Sequence, residues 1–595
     1  MRSVLKGHII NMTFYLSMEK AYSNLKFYKK ELILGPLFKM LEVVFELAMP
    51  FLMAFIIDEG IDKALNFDDY SAIYIPGLII LGLCVLGFFS TLVCQYFASV
   101  ASQGFGTKLR NTIYKKVLDL DLEDAERFGS GALTNIITTD VNRLQVSVAM
   151  MVRLVLRAPS IVIGSLICAF VINWRIAFIF LGVVVLIAII MAIIIISSSK
   201  QVLKVQHTLD DIVETTSDSL NGTRVIRAFN NEENEIKKYE TKTKKYFDEI
   251  KISNVINALT NPLTYLVINA AIILIIYFSS SEIIAQSGMS KGELTSLISY
   301  LTQILTALVV VSNLIVIFTR AFASKHRVDY LLSLESHIYK NGMFSEKNIA
   351  KGQQIIKFDN VSFRYRDAKN STLLNINFEI NKGETIGIIG GTGSGKSTLI
   401  KLLDRFYTPS EGTIIYKGKD ISEYNFRELR NEISIVNQKP VLLAGTISEN
   451  LKMGKQNASD EELIKALKEA CAYDFVFSKN GKLNATVEEG GLNFSGGQRQ
   501  RLAIARSLVN ANEILVLDDS SSALDNLTEK QLNNNLKERS DLTKIIISQR
   551  VSSLRNADKI IVMYHGQIDS IGTHDELLKS SNLYKEIYES QTREE

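Results

Sequence analysis

The chain has 595 residues, and its 66 Lys and Arg nearly balance 63 Asp and Glu, leaving a net charge of +3 at neutral pH. That balance holds no basic excess for a nucleic-acid partner, and the length calls for more than one domain. Hydrophobic residues make up 47% and mean hydropathy is +0.14; because the apolar residues gather in the first half, they signal membrane spans and exclude a wholly soluble protein.

Six apolar segments read at roughly 33–57, 73–99, 147–172, 176–198, 257–280 and 293–321. Each approaches or exceeds the ~20 residues that a helix needs to cross the hydrocarbon. Short links join segments 1–2, 3–4 and 5–6, whereas long polar stretches of helical periodicity join 2–3 and 4–5, too long for simple turns. The link after segment 1 is acidic (Asp58, Glu59, Asp62, Asp68, Asp69), and the stretch after segment 4 is basic (Lys200, Lys204, Arg224, Arg227, Lys237, Lys238). By the positive-inside rule both termini and both long connections face the cytoplasm of a plasma-membrane protein. Trp174 then sits at the outer interface. No cleavable leader is evident at the N-terminus. Cys84, Cys94, Cys168 and Cys471 lack metal-type spacing and read as small packing residues.

Charges inside spans are costly and call for partners. Glu42 and Glu46 share one face of segment 1. Counting at about 1.5 Å per residue places Glu42 about 24 Å and Arg157 of segment 3 about 26 Å below the outer surface, so these two are expected to pair.

Past residue 350 short Ile/Val-rich runs at 385–389, 433–436, 514–517 and 544–548 alternate with helical stretches. This pattern predicts an α/β domain with a largely parallel sheet. The first run enters Gly390, Gly391, Thr392, Gly393, Ser394, Gly395, Lys396, Ser397 and Thr398, the pattern of a phosphate-binding loop. Its glycines let backbone N–H groups approach phosphate oxygens, and the following helix turns its positive end toward the anion. Lys396 is expected on the β- and γ-phosphates of ATP and Ser397 on Mg²⁺. Asp518 ends a second apolar run and is expected beside the same ion. Ser495, Gly496, Gly497 and Gln498 open a helix and form a second anion-gripping turn.

These residues identify a resemblance to the ATP-binding cassette transporters that covers nearly the whole chain. Ser495-Gly-Gly-Gln498 is similar to the family's signature turn, with Phe494 in place of leucine. The resemblance implies that the turn completes the ATP site of a second subunit. Tyr365 resembles the aromatic that stacks on adenine, and Gln438 the glutamine that touches Mg²⁺ and relays to the membrane domain. Glu489 resembles the exporter-type element before the signature, although Glu488 stands where glycine is expected. The 522–525 run is similar to the loop linking the two sites. Ile56 to Ile61, Gly129 and Gly131 with Thr139 and Asp140, and Arg224 to Phe229 resemble exporter elements of the membrane half. The implied fold is an all-α membrane domain of six helices with long cytoplasmic extensions, fused to an α/β P-loop domain. Its implied divisions are an N-terminal segment and elbow at 1–30, the membrane domain at 31–325, a linker at 326–350 and the ATP-binding domain at 351–595. Short coupling helices are expected near 121–128 and 209–217.

Two departures bear on activity. Asp519 stands where hydrolysing members carry the glutamate that polarises the attacking water, one methylene shorter. Gln549 stands where they carry a histidine on the γ-phosphate, and it holds no positive charge. The catalytic set Asp519, Gln549 and Gln438 is therefore expected to bind ATP and hydrolyse it poorly, with the signature turn serving a competent site on a second half-transporter. The expected cargo is a small amphipathic molecule leaving the cytoplasm through the bilayer by alternating access. A slow homodimeric exporter, an ATP-gated channel and an importer are the alternatives on the same scaffold.

Overall fold

The computed structural model describes residues 21–284, 289–335, 349–366 and 368–592. Two compact units emerge, Met1–Leu118 with Gly129–Leu334, and Asp119–Phe128 with Glu335–Glu595. Residues 1–20 of the expected N-terminal segment and 336–348 of the expected linker lie outside the described residues. Residues 326–333 of that linker continue the last membrane helix.

In the first unit a short 3-10 helix, Ala21–Tyr28, leads into α1 (Lys29–Phe55). Then come α2 (Ser71–Leu118), α3 (Leu122–Asn135), kinked at Gly129 and belonging to the second unit before it, α4 (Val141–Arg153), α5 (Arg157–Ile172) and α6 (Trp174–Asn221). The set ends with α7 (Thr223–Ala228), α8 (Glu232–Ala258), α9 (Thr260–Ile284) and α10 (Lys291–Ser333). Among the described residues, six helical stretches are long and apolar enough to cross a membrane. They coincide with the six apolar segments, because a backbone in hydrocarbon must satisfy its own hydrogen bonds.

Local chemistry sets the ends. Asn173, in extended backbone, caps α6 by accepting from the N–H groups of Arg175 and Ile176. Ser290 and Glu293 form a reciprocal capping box at the start of α10. The Asp58 carboxylate accepts from the same end, from Gly292 N–H at 2.8 Å and from the Ser290 hydroxyl. This gives the Asp58 run noted in the sequence a structural role, tying the end of the first span to the beginning of the sixth. Asp140, fully buried, accepts from Ser324 Oγ at 2.8 Å and Arg327 Nε at 2.8 Å. It thus holds the head of α4 to the cytoplasmic half of α10, and the Arg327 partner offsets part of the cost of burying a charge.

The expected Glu42–Arg157 pair is present but shared, and one expected helix is corrected. Arg157 Nη2 donates to Glu46 Oε2 at 2.9 Å, while its Nε stands 3.8 Å from Glu42, which is held by Lys39 at 2.5 Å. Lys39 lies one turn before Glu42 on the same helix and also reaches it, so Arg157 is shared between the expected Glu42 and, at closer range, Glu46. The second expected coupling helix, 209–217, lies inside the unbroken α6. A separate short helix, α7, follows it, entered through Gly222, where the backbone leaves the helical region (φ −87°, ψ 5°).

The second unit holds two main sheets. An antiparallel sheet has the order β2-β1-β4-β5, from β1 (Gln354–Phe363), β2 (Leu373–Asn381), β4 (Glu411–Tyr416) and β5 (Lys419–Asp420). The larger sheet uses β3 (Thr385–Gly390), β6 (Ile433–Val436), β9 (Ile514–Asp518), β10 (Thr543–Ile547), β11 (Lys559–Tyr564) and β12 (Gln567–Gly572). Its order is β12-β11-β3-β10-β9-β6, parallel except for the edge hairpin β11-β12. A small pair, β7 (Gly445–Thr446) and β8 (Thr486–Val487), stands apart. The central strands are apolar throughout, as strands covered on both faces must be. Register brings Ile388, Ile547 and Asp518 level across β3, β10 and β9. Three loops distant in sequence therefore leave the sheet at one edge, where α/β sheets bind ligands.

Candidate functional site

At that edge β3 runs into the phosphate-loop residues and then α11 (Lys396–Leu403). Gly395 takes φ 99°, and a Cβ there would stand 2.5 Å from Leu373 Cδ2, so both conformation and packing demand glycine. Lys396 is 8% exposed, and its Nζ donates to the Gly390 and Gly391 carbonyls at 2.8 Å each and to Ser394 Oγ at 3.2 Å. Burial lowers its pKa, and the neighbouring Asp518 and Asp519 oppose that shift. The ammonium is thus desolvated and held at the mouth of an N–H-lined turn, a setting that favours an anion.

Ser397 Oγ donates to Asp518 Oδ1 at 3.5 Å, joining the loop to the end of β9. Burial raises the Asp518 pKa, partly countered by the Ser397 bond. Beyond it Asp519 adopts φ 45°, its N–H donates to Ile547 O at 3.0 Å, and Gln438 Nε2 donates to its carboxylate at 3.2 Å. Ser397, Asp518 and Gln438, the residues expected around Mg²⁺, carry hydroxyl, carboxylate and amide oxygens, a donor chemistry that suits that ion. Among the described residues no cluster of three His, Cys, Asp or Glu could hold a metal by itself.

Tyr365 OH hydrogen-bonds Thr398 Oγ1 at 3.1 Å, and its ring meets Phe363 and Tyr407 edge-on at 4.9 and 5.2 Å. The aromatic expected to stack on adenine is thereby tethered to the phosphate loop.

Ser495 caps α12 (Gly496–Val509), accepting from Gln498 N–H, while Gln498 Oε1 accepts from Ser495 N–H at 3.0 Å. Gln498, expected as a ligand-facing residue, thus uses its side-chain oxygen to hold the turn. Phe494, the departure from leucine, is 4% exposed and packs on Phe475 under the Lys479 ammonium. It anchors the turn from behind and leaves the Gly496 and Gly497 N–H groups at the helix start unaltered. Gln549 follows β10 with an exposed side chain.

The segment near 121–128, expected as a coupling helix, is helical from Leu122 and finds its partners here. Segment 119–128, which arises between the second and third spans, belongs to this unit. Tyr407 OH donates to Glu126 Oε2 at 3.0 Å, Lys401 reaches Glu126 at 3.4 Å, and Arg366 N–H donates to Glu123 at 3.2 Å. Leu122 packs on the core beneath. A left-handed Gly129 (φ 71°) turns the chain at the end of the segment. The acidic residues at 123, 124 and 126 were the available signal, but their basic and tyrosine partners lie far along the chain.

At the far end of α11, Asp404 is buried, with Oδ1 unpartnered and Oδ2 3.7 Å from Arg430 Nε. Burial pushes its pKa up to about 7, against the pull of Arg430. A carboxyl raised in this way binds more protons folded than unfolded between pH ~4 and ~7. Stability from this group is therefore greatest below pH ~4 and is lost as pH rises through ~7. In the full-length protein the unfolding midpoint of the ATP-binding unit should fall less between pH 5 and 8 for Asp404→Asn than for the natural chain. Parallel profiles would show that Asp404 does not titrate there.

Comparison with known proteins agrees with this geometry. Residues 32–308 match the family model described as ABC transporter transmembrane region, and residues 373–522 the one described as ABC transporter. The chain is 33% identical over 575 residues to the ABC transporter ATP-binding protein YfiB of Bacillus subtilis, covering 96% of this chain and 98% of that one. It is 27% identical to the ATP-dependent lipid A-core flippase of Haemophilus influenzae, covering 97% of each. A solved bacterial Atm1-family ABC exporter with ATP bound superposes with a TM-score of 0.78 at 24% identity, covering 95% of this chain and 98% of the other. A six-helix membrane domain and an ATP-binding domain within one polypeptide make this chain a half-transporter of the ABC transporter family.

Proposed function

We propose that the chain is one subunit of a heterodimeric, ATP-driven exporter that moves small amphipathic molecules, drug-like or lipid-like, out of the cytoplasm. The observation that carries the heterodimer reading is the short carboxylate of Asp519, backbone-anchored beside Gln438, within an otherwise complete phosphate site. ATP stacks on Tyr365, its phosphates lie along residues 390–398, and Lys396 leaves the loop carbonyls for the β- and γ-phosphates. Ser397, Asp518 and Gln438 would hold Mg²⁺, which when bound supplies charge neutralisation across the phosphates. Asp519 orients water from too far back, and Gln549 hydrogen-bonds the γ-phosphate without a charge. ATP is thus held at this chain's site, while Ser495, Gly496, Gly497 and Gln498 complete the partner's site, where most turnover occurs. Segment 119–128, docked through Glu123 and Glu126, carries cassette closure to the spans. Both termini and the ATP-binding domain lie in the cytoplasm of a plasma-membrane protein.

Export is supported by the exporter-type fold and by a relative named as a flippase. An amphipathic cargo fits spans whose glutamates are already matched by Lys39 and Arg157, leaving polar spots such as Gln303 and Asn313 in an apolar wall. The test is isolation of the complex from native membranes, followed by ATP-driven accumulation of a fluorescent amphipath in inverted vesicles. A different half-transporter co-purifying in equal amount, with ATP-dependent uptake, is expected. Recovery of an active self-pair alone would sink the heterodimer, and ATP-scaled ion current without uptake would favour a channel.

A further inference from the structure

The C-terminal helix of the described chain, α13 (Asn582–Thr592), reaches the loop that follows β10 with a single side chain. Gln591 Nε2 donates to the Gln549 carbonyl at 2.6 Å, and Gln591 Oε1 accepts from Val551 N–H at 2.9 Å. One primary amide therefore spans the backbone on both sides of Arg550. Only Asn and Gln carry a neutral donor and acceptor side by side in this way, and Gln has the longer reach.

The helix that presents it is fixed. Tyr584 is fully buried and its hydroxyl meets His574 Nδ1 at 2.8 Å. Tyr584, with partly buried Ile587 and Tyr588, packs in the same cluster as Ile389 of β3 and Val551 of the loop. The loop is held from its other side by Ser548, whose N–H donates to Ile388 O at 3.2 Å and whose hydroxyl accepts from Arg550 N–H at 3.0 Å. Between these two anchorages the Gln549 peptide has Gln591 as its side-chain tether.

We infer that Gln591 is a positioning residue for Gln549. By fixing the 549–551 peptides it aims the otherwise exposed Gln549 side chain at the terminal phosphate of ATP. The inference rests on the proposed γ-phosphate contact of Gln549 and extends that contact to the end of the chain.

The experiment measures the affinities of ATP and ADP for the full-length protein in lipid nanodiscs, by displacement of a fluorescent nucleotide, in four variants. Gln591→Ala should weaken ATP about fivefold, the effect of losing one well-placed hydrogen bond, and leave ADP unchanged. Gln591→Glu, equal in size, keeps the acceptor for Val551 N–H but loses the donor to Gln549, and should also weaken ATP selectively. Gln549→Ala should show at least the loss seen in Gln591→Ala, and the double variant should be no weaker than Gln549→Ala. Equal losses of ATP and ADP in Gln591→Ala, or additive losses in the double variant, would overturn the inference and leave Gln591 a purely structural residue. A selective loss in Gln549→Ala with none in Gln591→Ala would overturn it alone. An unchanged ATP-to-ADP ratio in Gln549→Ala would remove the phosphate contact itself, and the inference with it.

Discussion

Asp519→Glu combined with Gln549→His raises ATP turnover of the purified chain in lipid by about 100-fold, the scale of a correctly placed general base. The argument is one of reach. Asp519 is fixed by its N–H bond to Ile547 O and by its position one residue past β9, so side-chain length alone sets how far the carboxylate advances. One methylene moves it by about 1 Å, a displacement to which in-line attack on phosphate is sensitive. The left-handed backbone at Asp519 (φ 45°) suits aspartate better than glutamate. The substitution therefore costs about 1 kcal/mol locally, little enough for the domain to fold. The histidine adds a group that can carry positive charge where negative charge develops. Each single change should restore part of the rate, with the pair exceeding either. Phosphate release from the natural chain, both single variants and the pair decides the matter. Brisk turnover by the natural chain alone would mean a self-sufficient homodimer.

In the complex with its partner, Gly496→Asp lowers ATP turnover by about 100-fold, whereas Lys396→Ala lowers it by less than about tenfold. The asymmetry follows from which site each residue serves. Gly496 opens α12, and a Cβ built on it meets nothing within 4 Å in this chain. The aspartate therefore fits the folded subunit and acts by placing a carboxylate where the partner's bound phosphate meets the helix N-terminus. Lys396 grips only the nucleotide of this chain's own site, whose hydrolysis contributes little to the total. Turnover of the reconstituted complex with each variant is the measurement. Equal losses would make the two sites equivalent and end the degenerate-site reading.

The two halves of the molecule differ in how openly the sequence declares them. Six apolar runs could become only membrane helices, since length and hydrophobicity leave a backbone in lipid no other way to satisfy itself. The phosphate loop was equally legible, because its function requires glycines and a lysine at adjacent positions. Ser397 and Asp518 are 121 residues apart, yet their meeting could be expected once both were placed at the ends of parallel strands. Pairings chosen among near neighbours were less legible. Counting rise per residue brought Arg157 to Glu42, but the closer bond to Glu46 and the competing Lys39 on Glu42 appear only in the structure.

By itself, then, the sequence determined the membrane and cassette halves, the nucleotide loop and the chemical identity of the departures at Asp519 and Gln549, all of which rest on contiguous residues or on composition. Only the tertiary structure decided that 209–217 continues α6 and that the short separate helix is α7, because a break at Gly222 depends on local backbone torsions. It alone showed Glu126 reaching Tyr407 and Gln591 clasping the Gln549 backbone. These contacts join residues of unrelated periodicity from distant parts of the chain, and no local pattern encodes them. They exist because sheet register and a shared hydrophobic core bring their carriers together.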